Sequence, residues 1–232
     1  MNTQTKLMTP KTIVRLVLVV FVFPLIPMII SGVWGWWEGW ANAIFSILGF
    51  ILSRGLATRR NPDIIAERAR SMEMQDAKPW DKILSPMLAF GGLVILMVAG
   101  ADMGFGWTPP FTINAKLAAL AVIVLGYVFS SWALVENRFF SGVVRIQTDR
   151  GHHVVTTGPY RIVRHPGYAG ALWVYLAMPI LFDSIWAFIP ALFLLGVLVL
   201  RTSLEDRTLQ AELPGYAEYA KRTRYRLFPG IW

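Results

Sequence analysis

The chain has 232 residues, 55% of them hydrophobic and only 16% charged, with a mean hydropathy of +0.51. A soluble domain carries roughly 25% charged residues, so this composition overfills a single aqueous core and fits a chain dissolved in lipid. There is no cysteine, which excludes disulfides, thiolate metal sites, cysteine nucleophiles and S-acylation. The net charge of +8 reads as basic loops facing anionic lipid, not as a nucleic-acid surface.

Six apolar stretches predict an all-α, polytopic transmembrane bundle. They cover positions of about 13–33, 40–52, 83–101, 115–135, 168–182 and 185–200. A membrane-crossing helix needs about 20 residues, so the second, fifth and sixth are short, and the second needs flanking residues to complete a span. Lys6, Lys11 and Arg15 precede or open the first stretch as in a secretion signal. No small-residue cleavage site follows, and Trp34, Trp36, Trp37 and Trp40 read as an interfacial aromatic belt, so the stretch is kept as a span. Asp183 and Ser184 predict a tight helical hairpin between the last two spans.

Every Lys and Arg except Lys116 falls at the first end, in the 54–82 connection, in the connection after the fourth span, or after the sixth. The alternate loops carry only Glu38, Asp102 and Asp183 as acids. With six spans the positive-inside rule places both termini in the cytoplasm, together with the long fourth connection. The spans themselves read as essentially free of charge, which argues against a transporter or proton relay. Gly100, Gly104 and Gly106 fall in a predicted outer connection with no strand before them, so no dinucleotide loop is expected there, and neither a phosphate-binding loop nor a serine elbow is present. Pro62, Pro79 and Pro86 punctuate the 54–82 connection and its exit.

The chain therefore divides into four N-terminal spans, 1–135, and a region 136–232 where the chemistry concentrates. The fourth connection holds all three histidines, His152, His153 and His165, with no further donors at metal-ligating spacing, so no metal is expected. Tyr160, His165 and Tyr168 are bunched there, Pro159 and Pro166 fix the backbone, and Gly158 and Gly167 allow close approach of another group. Past the sixth span, Arg201 and Glu205 share a helix face at i, i+4. The pair reads either as a surface ion pair or as a cation and a carboxylate carried into a site roofed by the histidine loop. The tail from Leu213 to Trp232 mixes Tyr with Lys and Arg, as a membrane-surface helix does.

At these residues the sequence resembles the isoprenylcysteine carboxyl methyltransferase family and, more distantly, phospholipid N-methyltransferases. The matching pattern runs from His152 to Tyr160, from Arg164 to Tyr168, from Arg201 to Asp206 and through the Leu213–Trp232 tail. It covers the last ninety or so positions; Asp206 stands where Glu is usual, and Pro214-Gly215 where Phe-Gly is common. The resemblance implies S-adenosylmethionine as methyl donor, with Gln147, His152, His153, Val154, Val155, Tyr160, His165, Pro166, Gly167, Tyr168 and Glu205 around it. It implies Arg201 facing the acceptor carboxylate, with Arg201 and Glu205 as the catalytic pair. The acceptor so implied is lipophilic or lipid-modified and arrives through the bilayer. A carboxylate is already ionised at neutral pH, so such an enzyme needs alignment more than a base; Arg201 would grip it in bidentate fashion. Methylation of a phospholipid amine, or a non-catalytic membrane protein on the same scaffold, are the alternatives.

Overall fold

The computed structural model describes residues 14, 16–64, 67, 68 and 76–232. The described residues form helices joined by loops, with no strand among them, as the hydropathy pattern predicts, and make a membrane bundle. A π-helical turn, Leu18–Val22, and a 3₁₀ turn, Phe23–Leu25, lead into α1, Ile26–Ser31. Then come α2, Trp37–Arg60; α3, Asp81–Phe105; α4, Ile113–Glu136; α5, Pro166–Leu181; α6, Phe188–Glu212; and the short α7, Tyr216–Arg222. Four of these, α2, α3, α4 and α6, are long and apolar enough to cross a membrane; Leu18–Ser31 and Pro166–Leu181 are apolar but shorter.

Several boundaries differ from the hydropathy reading. The second stretch recruits flanking residues on both sides to reach 24 residues. Pro86 lies inside α3, not before it. Gly100 and Gly104 are also within α3, where they let α1 approach: a Cβ on Gly100 would stand 2.7 Å from the Pro27 carbonyl oxygen. The last span continues as one helix to Glu212, because nothing breaks the backbone once the apolar run ends. Trp36 does not join the aromatic belt. It is 3% exposed and packs edge-on against Phe182 at 5.3 Å, while Trp34, Trp37 and Trp40 stay exposed.

The tightest seam joins α4 to α5. Gly126, Ser130 and Gly170 meet there, and a Cβ on Gly126 would lie 2.7 Å from the Gly170 carbonyl oxygen. Lipid offers no hydrophobic driving force between apolar helices, so close backbone contact through small residues is what holds them. The main core lies above this seam, with Met28, Ile95, Ile123, Leu181, Phe182 and Leu194 all buried.

Of the apolar stretches, 115–135 buries one charge, Lys116, and the helix ends beyond the stretches bury several more. At one end Lys116, in the first turn of α4, donates to Glu38 of α2 at 2.5 Å and to Asp183 at 3.0 Å. Beside them Asp102 accepts from Thr108 and from Ser184 Oγ at 2.6 Å. Asp183 adopts φ +53° in the α5–α6 turn and also accepts from Phe111 N at 2.7 Å, so the predicted hairpin is fixed by its own side chain. These acids read as solvated loop residues in the sequence. They are instead the buried polar ties that hold four helix ends in register.

Candidate active site

A cavity with about 820 Å³ of space, its open mouth included, lies at the opposite end of the bundle. Its walls run from Asn137 to Tyr219, and every one of the expected residues borders it: Gln147, His152, His153, Val154, Val155, Tyr160, His165, Pro166, Gly167, Tyr168, Arg201 and Glu205. The loop after α4 supplies one wall, the start of α5 the floor, and the polar extension of α6 the far side.

The loop is held open by ion pairs that sequence spacing does not reveal. Arg145 binds Glu67 through Nε at 3.0 Å and Nη2 at 2.8 Å, and Asp149 through Nη1 at 2.8 Å. These carboxylates hold the Arg145 guanidinium above its ordinary pKa range, with the Glu67 hydrogen bonds the main cause. Arg150 reaches Asp63 at 2.7 Å and donates to the Gln147 side-chain oxygen. Gln147 is buried and spends its amide on the Phe139 carbonyl at 2.7 Å, so it acts as a brace under the loop.

His152 accepts a hydrogen bond at Nδ1 from Gln147 N, 3.2 Å away. That fixes the neutral ring as the Nε2–H tautomer and leaves Nε2 as its donor. Burial, then the nearby His153, Arg145 and Arg150, lower the His152 pKa to about 4. The unfolded ring binds a proton below about pH 6.5 while the folded one does not, so proton uptake favours unfolding as pH falls from 6.5 towards 4. Thermal stability in detergent is therefore expected to fall over that window as the pH drops. The fall should be shallower in His152→Asn; equal slopes would remove the assignment.

Tyr168 sits between the two residues of the expected pair. Its hydroxyl donates to Glu205 Oε2 at 2.5 Å, and its ring lies 5.3 Å from the Arg201 guanidinium. Arg201 and Glu205 therefore do not pair with each other. Arg201 instead binds Asp81, the first residue of α3, through Nε at 2.7 Å and Nη2 at 3.0 Å. Glu205 has no cation within ion-pair distance among the described residues and faces the cavity.

Asp206 does the opposite. It is fully buried and accepts from Arg164 Nε at 2.8 Å and Nη2 at 2.9 Å, from Arg226 Nε at 2.8 Å, and from Tyr216 Oη at 3.1 Å. His165 Nε2 lies 3.3 Å away. Arg164 and His165 also hold the tail by its backbone: Arg164 N donates to Tyr225 O, and His165 N to Arg226 O, both at 2.9 Å. The tail is thus more than a surface helix. Tyr216 and Tyr219 of α7 are buried and line the cavity, and burial raises both phenols' pKa values above the ordinary range. Lys221 and Arg222 remain on the exposed face.

Sequence reasoning missed several walls: Asn137, Phe139, Phe140, Val144, Leu209 and Leu213 border the cavity as well. No local pattern marks them. Gly167 is the informative exception, since a Cβ there would come within 2.7 Å of the Phe140 ring.

Fold and cavity together define a helical membrane protein with a tyrosine-lined cavity of mixed polar and apolar walls at an end of its bundle. The model of the isoprenylcysteine carboxyl methyltransferase family matches residues 119–211, which include α5, most of α4 and nearly all of α6, and the resemblance read from the motifs is borne out over that region. The probable protein-S-isoprenylcysteine O-methyltransferase of Oryza sativa subsp. indica is 41% identical over 54 residues, 23% of this chain and 28% of the relative. Protein-S-isoprenylcysteine O-methyltransferase B of Arabidopsis thaliana is 31% identical over 106 residues, 44% of this chain and 54% of the relative. The Delta(14)-sterol reductase of Mus musculus is 28% identical over 129 residues, 51% of this chain and 31% of the relative. The chain thus spans about half or less of the length of the curated relatives it matches. One of them is named for a reduction, so likeness over this region does not by itself fix the reaction.

Proposed function

We propose that the chain is an integral-membrane, S-adenosylmethionine-dependent methyltransferase that O-methylates the carboxylate of an isoprenylcysteine-like or other lipophilic acceptor. The observation that carries this reading is the convergence on one cavity of Glu205, a carboxylate with no cation partner among the described residues, and Arg201, a fixed cation, on either side of Tyr168. When bound, the cofactor supplies a methyl group on a sulfonium: the acceptor oxygen forms the new C–O bond as the C–S bond breaks, and the electron pair stays on sulfur.

The residues present suit that group. Glu205 offers a free carboxylate oxygen to cofactor hydroxyls. His152 offers an Nε2–H donor, and Tyr160 and Tyr168 provide ring faces that attract a cation. Arg201 then orients the acceptor, and the protein's task is to hold reacting atoms about 3–3.5 Å apart. The basic-residue asymmetry supports a cytoplasmic cavity, with Lys116 alone at the other end and both termini inside. The exposed apolar surfaces of α2 and α3 support entry of the acceptor tail from the bilayer. Most of the site is supplied by 136–232 and its frame by 1–135.

One observation favours an amine acceptor as the second reading. Arg201 is already paired with Asp81, whereas Glu205 has no cation partner among the described residues. An amine must shed a proton before attack, and Glu205 is the carboxylate at hand. Labelled-methyl transfer to a panel of prenylated thioether carboxylates and lipid amines decides between them. The expected product releases methanol in mild base; a base-stable product selects the amine. In either case Glu205→Ala is expected to weaken S-adenosylmethionine binding at least tenfold by calorimetry in detergent. Absence of cofactor binding by the folded wild-type protein would sink both readings.

A further inference from the structure

Arg201 does not have its fork free. Its Nε and Nη2 are both engaged by the Asp81 carboxylate, and Nη2 donates as well to Gly142 O at 3.0 Å. Among the described residues Nη1 alone of the three nitrogens has no hydrogen-bond partner, and Arg201 borders the cavity. The bidentate grip expected from the sequence is therefore taken, by a residue 120 positions away. Asp81 is itself fully buried and tied to the cavity wall, accepting from Val144 N at 2.6 Å. It thus links α3, α6 and the loop after α4 at one carboxylate.

We propose that Asp81 is a positioning residue that restricts Arg201 to a single-nitrogen contact with the acceptor. This rests on the carboxylate reading given above. A guanidinium fork engages both oxygens of a carboxylate and draws charge from each. A contact through Nη1 alone holds one oxygen and leaves lone pairs on the other free to attack. Asp81 also opposes the Arg201 charge that would otherwise bind the ground-state carboxylate tightly. Binding the reactant strongly without favouring the transition state does not raise kcat. Asp81 therefore trades acceptor affinity for turnover, acting through Arg201 without touching the acceptor.

The test is acceptor binding and turnover with Asp81→Asn, Asp81→Glu and Arg201→Lys. The probes are an S-farnesyl thioether carboxylate and the corresponding neutral alcohol, titrated in detergent with S-adenosylhomocysteine present. Opening the fork should tighten the carboxylate at least tenfold in Asp81→Asn, the range expected of a hydrogen bond to a charged group. The alcohol and S-adenosylhomocysteine should bind within twofold of wild type. In turnover KM should fall and kcat should fall at least tenfold, and Asp81→Glu should restore both towards wild type. A carboxylate affinity unchanged or weakened in Asp81→Asn, with S-adenosylhomocysteine binding intact, overturns the proposal, and so does absence of carboxylate binding by both proteins. If Asp81→Asn does not fold, Arg201→Lys decides: Asp81 then captures the lone ammonium, and carboxylate binding should fall at least tenfold. Binding equal to wild type in that variant overturns the proposal. Wild type that transfers no methyl to any carboxylate, while Asp81→Asn still tightens the probe, would refute the O-methylation reading and leave the Asp81–Arg201 inference standing.

Discussion

Asp206→Ala is expected to cost about 3–5 kcal/mol of stability, the range for removing one partner of a buried ion pair. The carboxylate is fully buried, and Arg164, its bidentate partner, is nearly so. Alanine leaves that guanidinium with only backbone carbonyls of the tail, at Ala220, Thr223 and Arg224, and strips Arg226 of its carboxylate acceptor as well. The damage should extend to the cavity, because Tyr216 and His165 share the same carboxylate. Denaturant unfolding in detergent measures the first effect and calorimetry with S-adenosylmethionine the second. Glu218→Ala provides the contrast. Its pair with Lys221 is exposed on the opposite face of the tail, and no measurable change is expected. Equal behaviour of the two variants would contradict the role given to Asp206.

Lys116→Met should cost about 3 kcal/mol by the same logic at the other end. It leaves Glu38 and Asp183 facing each other with side chains only 4% and 11% exposed. Adding Glu38→Gln and Asp183→Asn to Lys116→Met should recover most of the loss, since replacing a whole buried ionic network is far less costly than breaking it. A triple variant no better than the single one would mean that the lysine stem, not the charge balance, carries the stability. Because this end is remote from the cavity, acceptor preference should stay unchanged in the triple variant.

These two clusters mark where the sequence stops being readable. The histidine loop and the Arg201–Glu205 segment are legible because their chemistry is written in short, local spacing, and all twelve expected residues border one cavity. Helical periodicity likewise places Arg201 and Glu205 on one face. It cannot say that Arg201 turns away from Glu205 to Asp81. An aspartate in the first turn of a helix has an ordinary reason to be there, because it complements the helix dipole. Glu38 and Asp183 read as loop acids for a similar reason: charge at a span's end is normally solvated. Only the meeting of α2, α4 and the α5–α6 turn buries them. Trp36 sits within a run of interfacial tryptophans, yet only its contact with Phe182 sets it apart. What local pattern encodes was recovered, and what long-range pairing encodes was not.

The distance in sequence between Asp81 and Arg201 also constrains how the protein is made. The two are separated by 120 positions, and ribosomes add about 5–20 residues per second, so roughly 6–24 s pass between their syntheses. Through that interval the aspartate lacks the Arg201 guanidinium, and an ionised carboxylate is costly to bury in hydrocarbon. The start of α3 must therefore wait at the aqueous margin of the membrane until α6 arrives. The bundle is completed by its last long helix, and a chain that stops before Arg201 leaves the Asp81 carboxylate without its partner.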